Sequence, residues 1–375
     1  MKNKVYIIFL CVFTLLQSGC AHIRYLWQAG MGQWAIYNHE RPIEEVIKDP
    51  RTPTDVREKL QWIPEIKKFV EVELNVKPTS NYTTYSDLKR PYVVWSLTSA
   101  KKYELEINTW SFPFVGAFPY LGFFKKEMAE EWQKKEIEKG MDTSIRGVGA
   151  YSTIGYLRDP ILSSMLSKKK SDLVNLIFHE TTHSQVYIKG EGAFNEQTAS
   201  YVGDYGEKFW IEKTYGAKSP ELNEWTEDRA DRKLFGRKMV QYAEELKRLY
   251  SEFKNVSEEE KKTRKVQVFE KFRNDLQNEK SSPFQTVSWK KFISSRFVKE
   301  LNNNAILLAH LTYEDNQEVF EELYEKCKGS LKGSLSVFKR FAAHQSAVAP
   351  STERNLTKQF ETWLRSQAGG GICLD

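Results

Sequence analysis

The sequence predicts an α+β fold, with a mixed N-terminal half that holds a small sheet and a mainly helical C-terminal half. Two patterns support this division. Apolar and charged residues alternate through 103–107, as on a strand with one buried face, whereas apolar residues recur at helical spacing from 225 to 276. Hydrophobic residues make up 40% of the 375 residues and aromatic residues 13%. This composition excludes a disordered chain.

The first twenty residues predict an export signal. Lys2 and Lys4 precede an uncharged apolar run at 5–16, which has signal-peptide length and is shorter than the roughly 20 apolar residues of a membrane-spanning helix. Small residues precede Cys20, as in a bacterial lipobox, so Cys20 is the predicted lipidation site. Ordinary secretion with Cys20 as a plain thiol is the alternative. Lipidation predicts an exported lipoprotein of the cell envelope, facing the periplasm or the cell surface. By resemblance to other Gram-negative lipoproteins, Ala21 after the cysteine favours the outer membrane.

Short helices and strands are predicted for the N-terminal half. Residues 21–75 carry helical spacing, with Pro42 and Pro53 at first-turn positions. The further elements predicted there are a buried strand at 92–95, a packed loop at 112–124, a charged helix at 128–139 and a strand at 147–156.

Two helices separated by a glycine-rich turn follow. Ser171 is a predicted N-cap for a helix that runs to about residue 187. Gly190 and Gly192 then interrupt the helical pattern, and a second helix starts near Phe194. The sequence therefore predicts a helical hairpin in the middle of the chain.

The C-terminal half is predicted to be helical. A long amphipathic helix at 225–255 pairs with a helix that Ser257 and Glu260 open as a capping box. Cys327 and Cys373 either pair or remain as two free thiols. The predicted organisation is a signal peptide at 1–19, a helical segment after the lipid anchor at 20–80, an α+β lobe at 81–210, a helical lobe at 211–368 and a flexible tail at 369–375.

A metal site is predicted at the HExxH sequence that begins at His179. His179 and His183 are four residues apart on a predicted helix, so a single ion can bridge both imidazoles. Zinc binds imidazole readily and keeps three protein ligands in catalytic sites. Glu196 is the predicted third ligand because it opens the next helix after the turn; Glu191 and Glu207 are its competitors. Two surface histidines without a metal are the alternative to the whole site.

Glu180 is the predicted general base, because it adjoins the first ligand and would face the attacking water rather than the ion. The developing oxyanion usually needs a further donor. The candidates for that donor are Tyr151, Tyr201, Tyr205, His310 and Tyr313.

Segments spread over nearly the full length carry a family resemblance. They are 25–33, 41–43, 90–95, 119–123, 150–166, the HExxH helix, Asn195-Glu196 and 303–305. Together and in this order they resemble the bacterial family of predicted-aminopeptidase lipoproteins. The pattern Asn195, Glu196 and Ala199 resembles the second motif of gluzincin metallopeptidases. The resemblance implies a zincin-like fold and one zinc ion at His179, His183 and Glu196, with Glu180 as base.

The function that these observations favour is a zinc-dependent peptidase, an aminopeptidase acting on a peptide or protein substrate. A zinc endopeptidase is one alternative, and a non-catalytic envelope lipoprotein that retains zinc structurally is another. Glu180 argues against the non-catalytic alternative, because a structural zinc site needs no base. The 56 basic residues are interleaved with 50 acidic ones along helices, a pattern that excludes nucleic acid as a partner.

Overall fold

The computed structural model describes residues 23–112, 116–150, 153, 158–278, 283–294, 296–311, 318–346, 356–367 and 372–373. Across these residues the fold is mixed α+β and mostly helical, so the predicted fold class is confirmed at that level. The predicted signal peptide and Cys20 lie outside the described residues. Within the described part of the chain, no helix combines the length and the apolar content needed to cross a membrane.

Among the described residues, helices and strands alternate at first, and helices alone follow after residue 162. The helices are α1 (23–38), α2 (Ile43–Lys48), α3 (Thr54–Glu73), α4 (Lys126–Glu138), α5 (Lys170–Gln185), α6 (Gly192–Tyr215), α7 (Pro220–Ser251), α8 (Glu258–Gln277), α9 (Val287–Ser294), α10 (Arg296–Glu300), α11 (Asn304–Leu311), α12 (Glu318–Lys326), α13 (Leu331–Ser346) and α14 (Leu356–Ser366). The strands are β1 (Glu40–Pro42), β2 (Thr84–Ser86), β3 (Val94–Ala100), β4 (Trp110–Phe112), β5 (Gly116–Phe118), β6 (Leu121–Phe123), β7 (Asp142–Val148) and β8 (Ile161–Leu162).

The described strands of the N-terminal half form three small sheets. The largest has the order β6-β3-β7 and is antiparallel throughout. In a second sheet β2 pairs antiparallel with β1 and parallel with β8, and β4 and β5 form a two-stranded ribbon. The buried Leu97 at the centre of β3 packs with Trp110, Phe123 and Trp132 into a core between the sheet and α4.

Two local predictions were wrong. The alternating stretch 103–107 is a turn with one isolated bridge from Ile107 to Ala100, because Leu105 packs against the core of the C-terminal helices instead of pairing in a sheet. The stretch 112–124, predicted to be a packed loop, contains β5 and β6. Of the strand predicted at 147–156, β7 covers only its start, and 151–152 and 154–157 lie outside the described residues.

The helices α7 and α8 form the predicted pair. The Ser257 side chain accepts a hydrogen bond from the backbone N–H of Glu260 and so caps α8. The ring of Tyr242 on α7 stacks on that of Phe272 on α8, with centroids 3.9 Å apart. This contact is part of a core that also includes α9 and α11.

The largest core joins the middle of the chain to its C-terminal helices. Phe194 of α6 packs against three aromatic rings, Phe320, Phe341 and Phe360, from α12, α13 and α14. A disulfide between Cys327 and Cys373 ties the end of α12 to the C-terminal tail, which decides between the two alternatives left by the sequence. The division into segments and lobes at 80 and 210 stays a prediction.

Helices α5 and α6 pack very closely because α6 carries glycine where it faces α5. A Cβ atom on Gly206 would lie 2.4 Å from the ring of Phe178, which is fully buried. A Cβ atom on Gly203 would lie 3.1 Å from the backbone oxygen of Asn175 and 3.3 Å from the Cβ of His179. A side chain at either position would require the neighbouring atoms of α5 to shift.

We expect Gly206→Ala to lower the free energy of unfolding by about 1–3 kcal/mol, because overpacking outweighs the better helix propensity of alanine. The measurement is denaturant unfolding. Gly192→Ala, at the start of the same helix, is the matched control because a Cβ there meets nothing within 4 Å. Equal stabilities for the two variants would contradict the packing described here.

Candidate metal centre

Helix α5 presents the HExxH residues. Its buried side chains include Leu173, Val174 and Ile177, whose helical spacing holds the helix against the main core. At the start of α5 the Asp172 carboxylate accepts a hydrogen bond from the backbone N–H of Lys169. The N-terminal boundary thus lies close to the predicted one, with Lys169 instead of Ser171 as the capping residue.

The turn between α5 and α6 is fixed by Asn195. Its side-chain oxygen accepts a hydrogen bond from the N–H of Ile188 at 2.9 Å, and its amide group donates to the carbonyl of the same residue at 2.8 Å. Gly190 reverses the chain with a φ of +84°, a conformation that glycine adopts without steric cost. These contacts set where α6 begins and therefore where Glu196 lies.

His179, His183 and Glu196 meet in space. The Nε2 atoms of the two histidines are 3.2 Å apart. The Glu196 carboxylate places Oε2 3.5 Å from Nε2 of His179 and Oε1 3.6 Å from Nε2 of His183. Within the described residues these three side chains form a group whose ligand atoms all lie within 4.8 Å of one another, so they could hold a metal ion.

The donor set and its spacing fit zinc. Two ligand atoms about 2.0–2.1 Å from a tetrahedral ion lie about 3.3 Å from each other, close to the distances observed here. Two imidazoles and one carboxylate also match the ligand types of catalytic zinc sites, which leave one position for water or substrate.

The electrostatics of the site favour the metal-binding forms of two ligands. Burial and the charge of His179 lower the pKa of His183 to about 4, so its imidazole is neutral at physiological pH. Burial alone would raise the pKa of Glu196, but the hydrogen bond and charge of His179 outweigh it and the net pKa is lowered. Burial likewise opposes a charged His179, yet Glu196 and Glu180 raise its pKa overall.

Glu180 is buried next to the ligands, with only 6% of its surface exposed. Burial, assisted by the charges of Glu196 and Asp159, raises the pKa of its carboxyl to about 7 despite the opposing charge of His179. The structure therefore places a second carboxyl group beside the three candidate ligands without including it among them.

A charged network lies within electrostatic range of His179. Asp204 on α6 is buried and accepts hydrogen bonds from Asn175 at 2.9 Å and from Arg232 at 3.1 Å, and it also pairs with Arg229. Its negative charge is one of those that raise the pKa of His179. Through these contacts the network joins α5, α6 and α7.

Three neighbours of the site, Tyr82, Asp159 and Arg146, were missed by sequence reasoning. Burial, followed by the charges of Glu180 and Asp159, raises the pKa of Tyr82. Tyr82 has a φ of +60°, which is rare for a tyrosine, and its N–H donates to the carbonyl of Asp159. Arg146 on β7 lies within electrostatic range of Glu196. Neither a helical nor a strand period marks such residues, because long-range contacts bring them to the site.

The structure places the described oxyanion candidates, Tyr201, Tyr205 and His310, in different surroundings. The Tyr201 hydroxyl lies 3.0 Å from the Ser334 hydroxyl among aromatic rings, and Tyr205 stacks on Tyr324 with centroids 4.0 Å apart. Both tyrosines thus face the C-terminal helices. Burial and the charge of Arg146 lower the pKa of His310 to about 4. Tyr151 and Tyr313 lie outside the described residues, and the oxyanion role stays a prediction for all five candidates.

Glu191 and Glu207, the two competitors of Glu196 for the third ligand position, lie outside the group of candidate ligands. Glu191 stands at the N-cap of α6, before its first residue. Glu207 accepts a hydrogen bond from Asn175 at 3.1 Å, and burial raises the pKa of its carboxyl to about 7. Neither residue belongs to the cluster of candidate ligands found among the described residues.

One comparison with known proteins is informative. The model of the family described as "Putative aminopeptidase" matches residues 24–355, which include α5, α6 and every candidate ligand. The search of the curated proteins and the search of the solved structures both found no match.

We expect the chain to bind about one equivalent of zinc and His183→Ala to lose it, because removal of one of three ligands leaves too few donors. The measurement is metal content by mass spectrometry after reconstitution and dialysis. His344→Ala is the control, because this exposed histidine on α13 is outside the cluster. A wild-type chain that cannot be loaded with metal would rule out the site.

Proposed function

The chain belongs to the putative aminopeptidase family, and from this premise we propose that it is a zinc-dependent aminopeptidase of the cell envelope. The family indicates peptidase activity. The zinc dependence, the choice of the peptide N-terminus and the location are parts of the proposal.

The observation that carries the proposal is the convergence of His179, His183 and Glu196 with Glu180 buried beside them. A purely structural zinc site usually closes the fourth position with another ligand and has no use for an adjacent carboxyl group that does not bind the ion. Three ligands and an adjacent acid instead suit a catalytic site, in which the ion keeps one position for water and a nearby carboxyl group transfers protons. The proposal includes the zincin-like arrangement, in which α5 supplies the histidines and α6 the glutamate.

Each residue then has a chemical task. His179, His183 and Glu196 would hold the ion, which when bound supplies Lewis-acid activation of a peptide carbonyl and of water. Glu180 accepts a proton from the attacking water and delivers it to the leaving amine. Its burial keeps bulk water away from the carboxyl group, and this strengthens its interaction with a proton in transit.

The location is supported by the N-terminal sequence. The apolar run at 5–16 and the lipobox-like residues before Cys20 support export and a lipid anchor. Cys20 precedes the described residues by three positions, so an anchor there would hold the folded body close to the membrane.

We expect Glu180→Gln to retain zinc and to lower kcat by about 10²–10⁴-fold, because the amide cannot accept the proton. The assay maps cleavage in a peptide library in which half of the members carry free N-termini and half are acetylated. An aminopeptidase needs the free ammonium group, so we expect the wild-type enzyme to release N-terminal residues from the free set and to leave the acetylated set intact.

The matched control is Glu207→Gln, which replaces another buried acid with a pKa of about 7 that lies outside the ligand cluster. We expect this variant to keep full turnover. Equal cleavage of both peptide sets at internal bonds would make the protein an endopeptidase, and zinc binding without cleavage of any peptide would make it a non-catalytic lipoprotein. Full activity in Glu180→Gln would remove the proposed base.

A further inference from the structure

Helix α1 exposes an almost entirely apolar face. Its outward side chains are Ile23, Leu26, Trp27, Met31 and Trp34, defined here as the α1 apolar face. Trp27 is 70% exposed and Trp34 58% exposed, although tryptophan is among the side chains that gain most from burial. Ile23, Trp27 and Trp34 recur at helical spacing, so they form one continuous stripe.

The opposite side of α1 is firmly packed. The Gln28 side chain donates to the carbonyl of Gly122 at 3.1 Å and accepts from the N–H of Phe124 at 3.0 Å. The Tyr25 ring packs edge-on against Phe123 at 5.4 Å between centroids. Gly32 lies so close to the ring of Phe124 that a Cβ there would be 2.1 Å from it. The orientation of the helix is therefore fixed, and the apolar face is held outward.

The composition of this face is unusual for a surface in water. Of the described residues of α1 that are exposed, Arg24 is the only charged one, and it pairs with Glu131 of α4 at 2.9 Å. Scattered apolar residues are common on protein surfaces, but a contiguous apolar patch usually marks an interaction site.

We infer that the α1 apolar face lies in the headgroup region of a phospholipid bilayer. This inference rests on the envelope location proposed above and not on the peptidase activity. Cys20, the predicted lipid anchor, is three residues from Ile23, a span of at most about 10 Å. Acyl chains attached there would enter the membrane beside the first residue of the apolar face.

The side chains themselves fit a lipid interface. Tryptophan is enriched at membrane–water boundaries, where its ring contacts acyl chains and its N–H remains near water. Amphipathic helices that lie in the plane of the membrane–water interface bury one apolar face in the lipid and keep the opposite face away from it. In α1 the opposite face is already occupied by the contacts of Tyr25, Gln28 and Gly32.

A second copy of the chain is a poorer occupant. Stable protein interfaces use about 20–30 residues from each partner, far more than the five side chains of this face. A lipid surface needs no matching shape and can cover a narrow stripe completely.

The test measures quenching of tryptophan fluorescence by lipids that carry bromine near the headgroup end of the acyl chains. The full chain is expressed with its leader, purified in detergent and reconstituted into phosphatidylethanolamine–phosphatidylglycerol vesicles with brominated phosphatidylcholine. Trp27 and Trp34 are two of ten tryptophans, so we expect bromine to remove up to about one fifth of the emission. We expect W27F/W34F to lose most of this effect.

Two control variants and one further test variant isolate the contribution of the α1 apolar face. W62F/W225F removes two partly buried tryptophans of α3 and α7 and should leave the quenched emission unchanged. I23E/M31E keeps both reporter tryptophans and should lower their quenching about two-fold or more, since charges are excluded from lipid. V240E/V266E, which places the same charges at exposed positions of α7 and α8, should have no effect.

The possible results distinguish the α1 apolar face, the lipid anchor at Cys20 and the peptidase activity from one another. Equal fractional quenching in wild type and W27F/W34F, with the protein floating on the vesicles, would overturn the inference and leave the lipid anchor intact. Disulfide crosslinking between chains through M31C in vesicles would assign the face to a second copy and also overturn it. Mass spectrometry of the N-terminal peptide tests Cys20 separately, so quenching without lipid on Cys20 would support the face and reject the anchor. Peptidase activity in the same vesicles reports on the proposed function independently.

Discussion

The close contact between α5 and α6 is the constraint on which the candidate site depends. His179 and His183 belong to α5 and Glu196 to α6, so the three side chains meet only if the two helices approach closely. Gly203 and Gly206 allow that approach because they present only backbone to α5. The hydrogen-bonded turn then fixes the register of the two helices along their length. Loss of this contact would leave a pair of histidines without their carboxylate.

The C-terminal half contributes to the site although it supplies none of the three candidate ligands. Phe194, two residues before Glu196, is surrounded by aromatic rings of α12, α13 and α14, and this packing holds the start of α6. Farther along α6, the buried Asp204 pairs with two arginines of α7. Removing one partner from a buried pair leaves an uncompensated charge, which is strongly destabilising. The C-terminal helices and α7 therefore support α6, the helix that carries Glu196.

The sequence was sufficient where the chemistry is local. The HExxH residues share one helix, so their spacing alone predicts that His179 and His183 face the same way. Glu196 required a long-range inference from the glycine-rich turn, and the structure brings it to the histidines. Tyr82 and Asp159 reach the site through tertiary contacts and a left-handed backbone conformation, which no periodic pattern encodes. The strand prediction at 103–107 was wrong because this stretch packs against the core of the C-terminal helices and does not pair in a sheet.

The molecule carries a candidate metal centre between α5 and α6 and an apolar helix face beside the predicted lipid anchor. We propose that the three side chains of the centre hold one catalytic zinc ion with a position left open. The decisive measurement is anomalous diffraction at the zinc absorption edge, from crystals grown with zinc. We expect a single peak bonded to Nε2 of His179, Nε2 of His183 and the Glu196 carboxylate, with no fourth protein ligand. A peak elsewhere, or a fourth side chain on the ion, would contradict it.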